Sequence, residues 1–200
     1  MRENKQPSID DFLRDVKDHT ISIKKDEGFY RHLIFSNNGS FNQRFELVTW
    51  PNYLAFVGDM GSFVFSRIED MTQFFGRDLK KIDTQYWAEK CQAEDTHSEG
   101  IREFDIDQFR EEVISHTRMW LDLEEDDPIP EEIKEEIDHL LSAEDEYEAV
   151  AEYRNHSSKT IPLTDFWESS CKIKTYRFIW ACYAIAWGLG LYDKETSVKG

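Results

Sequence analysis

Between Thr20 and Ile68 apolar side chains return at every second residue, and after Ile68 they return at every third or fourth. Period two fits extended strands and the longer period fits helices, so this switch constrains the fold before any motif is considered. Ile21 and Ile23 alternate with polar neighbours, the run RHLIF follows, and Phe45, Leu47 and Thr49 stand in the opposite phase to Glu46, Val48 and Trp50. Asn37-Asn38-Gly39-Ser40 marks one turn. Pro51-Asn52 interrupts a ribbon that resumes at Tyr53, and Gly58-Asp59-Met60-Gly61 joins YLAFV to SFVFS as a tight hairpin. The segment reads as an antiparallel meander. Ahead of it, Ser8 followed by Ile9, Asp10 and Asp11 opens a short amphipathic helix that stops near Asp18.

The second half predicts helices over 69–76, 83–93, 105–121, 130–141, 143–155 and 165–189. Strands followed by helices make the chain α+β. Its length fits one domain or two small ones, and the expectation is a single domain over 1–200, with a helix-plus-meander half (1–68) and a helical half (69–200) that carries the acidic segment 122–148. Its best internal break is Leu123–Asp127, followed by Pro128 and Pro130. Phe109, Val113 and Trp120 recur at helical spacing, as do Ile133, Ile137 and Leu140, so each of these helices has one face to bury. The last helix differs, because Phe178, Ile179, Trp180, Tyr183, Ile185, Trp187 and Leu189 leave almost no polar side. Its uncharged run, Phe178–Tyr192, falls short of the roughly 18 to 25 apolar residues that cross a bilayer, so it reads as the central buried helix, packed by the sheet and the acidic helices.

Charge is distributed very unevenly. The 60 residues Cys91–Val150 hold 22 acids against four bases, while the remaining 140 sum to +1, which together give the net charge of −17. Between Asp122 and Glu148 fourteen carboxylates face a single base, Lys134. Such crowding repels itself in a folded state. An aromatic share of 14% supplies a core all the same, so the composition describes a globular body with one strongly acidic face. Cys91, Cys171 and Cys182 are odd in number and lack CxxC spacing, and no charged-then-apolar leader opens the chain. Reduced thiols in a cytoplasm follow as the expectation.

No motif fixes a chemistry. Glu136-Ile137-Asp138-His139 has the Glu-x-x-His spacing of di-iron sites, repeated by Glu94 and His97, but the latter pair falls in an expected loop. Glu132–Glu135 with Asp145–Glu148 suggests paired carboxylates for Mg²⁺, although phosphate-holding bases are scarce nearby. Gly-x-Ser-x-Gly is absent, and the six histidines are dispersed. Gly58–Gly61 is flanked by strands rather than by strand then helix, so it is a turn and not a phosphate loop. The string GSFVF has the look of an RNA-stacking strand, yet Phe63 and Phe65 fit a core better, and a −17 chain repels phosphate. Lys172, Lys174 and Arg177 form one basic cluster suited to neutralising neighbouring acids.

The strings TWPNYLAFVGDMGSFVFSRIEDM, YWAEKCQAED with GIREFDIDQFRE, and FIWACYAIAWGLGLYDK resemble a family of uncharacterised tailed-bacteriophage and prophage proteins, over about Phe45 to Lys194. The resemblance assigns no catalytic residue and no cofactor. It implies a bacterial host cytoplasm and an accessory role, a class that includes anti-CRISPR and anti-restriction inhibitors. The expected function is a non-enzymatic inhibitor of a host nucleic-acid-targeting defence complex. In that role Glu124, Glu125, Asp126, Asp127, Glu131, Glu132, Glu135, Glu136, Glu144 and Asp145 would meet a basic groove of a host protein or nucleoprotein complex. Trp120, Tyr147 and Tyr153 would anchor it, and neither nucleic acid nor membrane would be bound directly. The competing readings are a metal-dependent hydrolase built on Glu132, Glu135, Glu136 and His139, and a phage accessory or assembly protein whose acidic face is a solubility coat.

Overall fold

A computed structural model describes residues 6–95, 97, 100–158, 160–162 and 171–197. The chain forms two compact units, one of Met1–Arg102 with Lys174–Gly200 and the other of Glu103–Ile173. The class is α+β, with an antiparallel sheet first and helices after it.

The first unit opens with α1 (Ile9–Asp15), which Ser8 caps through a reciprocal box with Asp11. Six antiparallel strands follow in simple sequential order: β1 (Thr20–Glu27), β2 (Tyr30–Ser36), β3 (Phe45–Trp50), β4 (Tyr53–Gly58), β5 (Gly61–Ser66) and β6 (Cys91–Glu94). Leu33 faces Leu47, Leu47 faces Phe56 and Phe56 faces Phe63, so a single register lines up the buried row across four strands. Asn38 and Gly39 both take positive φ in the turn after β2, where the Ser40 N–H donates to the Asn37 carbonyl at 2.9 Å. At the β4–β5 hairpin the positive φ belongs to Gly61, whereas Gly58 is required by space: a Cβ there would sit 2.3 Å from the Arg44 carbonyl oxygen.

Helix α6 (Tyr176–Ser197) shares one core with the sheet and α1, and α2 (Thr84–Glu89) adds Trp87 to it. Trp180 is fully buried, edge-on to Phe12 and Phe45, and its indole N–H donates to Asp15 at 3.0 Å. The helices of the second unit build a separate core from Ile106, Phe109, Val113, Ile137, Leu140 and Ala149. Among the described residues no helix is long and apolar enough to cross a membrane.

Three expected helices take other forms. Over 69–76 the backbone makes only a 3₁₀ turn at Met71–Gln73, followed by another at Leu79–Lys81. Asp70, Asp78 and Asp83 each accept a backbone N–H within the next three residues, so the segment restarts at every aspartate instead of propagating. The expected helix 83–93 stops at Glu89, because Cys91–Glu94 pairs with β5 and covers what would be an open sheet edge. The last helix begins at Tyr176, where the Thr175 hydroxyl accepts the Phe178 N–H at 3.2 Å; Lys172–Lys174 is a strand, and 165–170 lies outside the described residues.

The chain leaves the first unit through β7 (Arg102–Phe104) and returns through β8 (Lys172–Lys174), which form a two-stranded sheet. Thr175 N–H donates to the Ile101 carbonyl and Asp105 N–H to the Cys171 carbonyl, an antiparallel pattern.

Candidate protein-binding face

The second unit contains α3 (Ile106–Trp120), α4 (Glu131–Leu141) and α5 (Glu146–Asn155). It carries 22 acids against six bases, a net of −16, leaving 19 acids against 18 bases, a net of −1, on the first unit. Nearly all of the molecule's charge therefore belongs to one folding unit. Helical periodicity produces this: Ile133, Ile137, Leu140 and Leu141 of α4 pack on the second core, and Glu131, Glu132, Glu135 and Asp138 are left outside.

Glu124, Glu125, Asp126, Asp127, Glu131, Glu132, Glu135, Glu144 and Asp145 are exposed, while Glu136 is half-buried. Among the described residues, two of the fourteen carboxylates in 122–148 lie within ion-pair distance of a cation: Glu131 with Lys134 at 2.9 Å and Glu146 with Lys172 at 3.6 Å. The arginines of α3 are used elsewhere. Arg110 donates to the carbonyls of Leu141 at 2.9 Å and Ala143 at 2.7 Å, which closes the end of α4. Arg118 donates to the carbonyls of Glu124 and Asp127, both at 2.7 Å, and Asp127 accepts the Glu124 N–H at 2.9 Å. The acidic loop is thus held from within by backbone contacts that leave the outer carboxylates of Glu125 and Asp126 exposed.

The three anchoring aromatics divide. Trp120 is 51% and Tyr147 82% exposed, whereas Tyr153 packs against the second core. The basic cluster divides too: Lys172 pairs with Glu146, but Arg177 donates to the backbone carbonyl of Asp59.

Hydrolase residues Glu132, Glu135, Glu136 and His139 do share α4, but among the described residues no three His, Cys, Asp or Glu side chains converge as metal ligands. Glu94 ends β6 and accepts the Ile101 N–H, so its carboxylate serves the backbone there. Burial pushes the Cys91 thiol up to about 11 and raises Cys182 well above the ordinary range, which leaves both poor nucleophiles. Phe63 and Phe65 are fully buried and their faces are unavailable for stacking on bases.

Sequence reasoning missed one association. His156, at the end of α5, lies against His139 with ring centroids 5.3 Å apart. The two are 17 positions apart on different helices, a distance at which no local spacing rule operates.

Comparison of the chain with protein families, curated proteins and solved structures finds no match.

Proposed function

We propose that the protein is a non-enzymatic binding protein whose second unit presents its acidic loop and the outer face of α4 to a basic groove on another protein. The observation that carries this reading is the partition of charge, −16 on one unit and −1 on the other, with most of the acidic segment's carboxylates left without a cationic partner among the described residues. A field of that sign speeds encounter with a positive groove and sets register once there. Exposed Trp120 and Tyr147 supply apolar contacts of the kind that dominate binding energy. The resemblance to tailed-phage proteins supports one partner class: a host defence complex, of CRISPR or restriction type, whose basic groove ordinarily holds nucleic-acid phosphates. Action in the cytoplasm of the bacterial host belongs to the same proposal.

The experiment is capture of host proteins from bacterial lysate on the immobilised protein, followed by challenge with NaCl and with duplex DNA. The expected partner is a nucleic-acid-binding protein released by either challenge. Retention of no basic partner, or of one indifferent to both, would reduce the acidic face to a solubility coat and favour the accessory-protein reading.

A further inference from the structure

We propose that His139 and His156 together bind a divalent transition-metal ion with an imidazole preference, Zn²⁺ being the probe of choice, and that the ion ties α4 to the end of α5. This goes beyond the partner-binding reading and does not depend on it.

The geometry begins with hydrogen bonds. Nε2 of His156 lies 2.9 Å from the Ile161 carbonyl oxygen, which can only accept, so the proton sits on Nε2 and the lone pair on Nδ1. That free nitrogen lies 3.4 Å from Nε2 of His139. As an N–H···N hydrogen bond the contact is long, since N–H···O bonds span about 2.7–3.2 Å. As the edge of a tetrahedral site it fits, since two imidazole nitrogens each about 2.1 Å from Zn²⁺ stand about 3.4 Å apart. A bond from the second ring nitrogen to a backbone carbonyl is also the support that metal-ligating histidines characteristically have, because it fixes tautomer and ring orientation. His156 has it already.

Position favours the same reading. His139 lies in the last turn of α4 and His156 caps α5, so the pair joins two helices that carry eight of the unit's 22 carboxylates. A bound dication would offset part of their mutual repulsion as well as cross-linking them. Both rings are half-buried, which leaves the remaining coordination positions open to water. Two protein ligands make a weaker site than the three or four of established zinc centres, and nitrogen donors select Zn²⁺, Ni²⁺ or Cu²⁺ over Mg²⁺.

The test is calorimetric titration of the full-length protein with Zn²⁺ and with Mg²⁺ at equal ionic strength, together with melting curves in each. Wild type should bind one Zn²⁺ and melt higher with Zn²⁺ than with Mg²⁺. His139→Gln and His156→Gln should each weaken Zn²⁺ binding at least tenfold and abolish that difference. Both variants are checked for folding by circular dichroism. If one destabilises the fold, the visible spectrum of Cu²⁺-loaded wild type decides, with nitrogen ligation expected. Equal Zn²⁺ binding by wild type and both variants, or oxygen-only ligation of Cu²⁺, would assign the metal to surface carboxylates and overturn the proposal. So would the absence of any Zn²⁺ binding by the wild type.

Discussion

Trp180 shows how much a single residue holds in place. It fills the interface between α6 and the sheet, meets Phe12 at 5.1 Å and Phe45 at 5.8 Å, and its one polar atom is satisfied by Asp15. Trp180→Ala should cost about 3 to 5 kcal/mol and lower the melting temperature sharply, and an unchanged melting curve would refute this packing. Gly188 sets the closeness of the same interface, since an added Cβ would lie 3.0 Å from Cζ of Phe35 and 3.2 Å from Cε2 of Phe45. A third site ties stability to pH. Burial alone would raise the Asp70 carboxyl, but hydrogen bonds from Thr72 and Arg31 outweigh it and hold its pKa below the ordinary value. A depressed folded-state pKa gives stability that is present above the unfolded value, about 3.9, and is lost as pH falls through the folded one. Asp70→Asn should therefore melt well below wild type at pH 7, and the gap should close in acid below about pH 4. A gap that persists unchanged to pH 2 would show that the carboxylate's charge is not what matters.

At the scale of elements, α4 and the loop before it can be tested apart. Glu132, Glu135 and Asp138 are exposed, so Lys at all three reverses local charge without touching Ile133, Ile137 or half-buried Glu136. The triple variant should keep its circular dichroism spectrum and lose the lysate partner, because like-charge contacts cost several kcal/mol across an interface. A folded variant that still captures the partner would move the interface off α4. Arg118→Ala removes the two donations that hold the Glu124–Asp127 loop. Proteolysis within 122–130 should quicken while the melting temperature of the sheet core stays put, and equal nicking rates would show that the loop does not need Arg118.

The molecule as a whole is a nearly neutral sheet-and-helix unit interrupted by a strongly acidic helical one. Thr175 and Ile101 are hydrogen-bonded at the point of exit and return, so a short Gly-Ser linker in place of 103–173 can rejoin the chain without stretching it. The rejoined protein should fold and melt cooperatively, with the α6 aromatics still buried. Loss of near-ultraviolet dichroism would show that the inserted unit is needed for the first core. Salt should act on the units differently. Repulsion between exposed charges more than about 10 Å apart is largely screened at 0.1 M ionic strength, so added NaCl should raise the melting temperature of the intact chain and leave the rejoined one nearly unmoved.

Local chemistry in the sequence was enough to determine much of this. Alternation from Thr20, with turn residues at Asn38-Gly39, Pro51-Asn52 and Gly58–Gly61, predicts the start of β1 and β2 to β5 nearly to the residue, because strand period and turn conformation are properties of adjacent residues. Periodicity likewise predicts α3 and α4 within a residue or two, and it predicts that Ile137 and Leu140 face inward and Glu132 and Glu135 outward. Cys91–Glu94 was not legible, since its strand state comes from the free edge of β5 and not from its own side chains. The packing of α6 on the sheet was expected, but not that the acidic helices build a core of their own, and the meeting of His139 with His156 was equally hidden. Each of these joins residues far apart in the chain, and only the packing of whole elements decides which distant residues become neighbours.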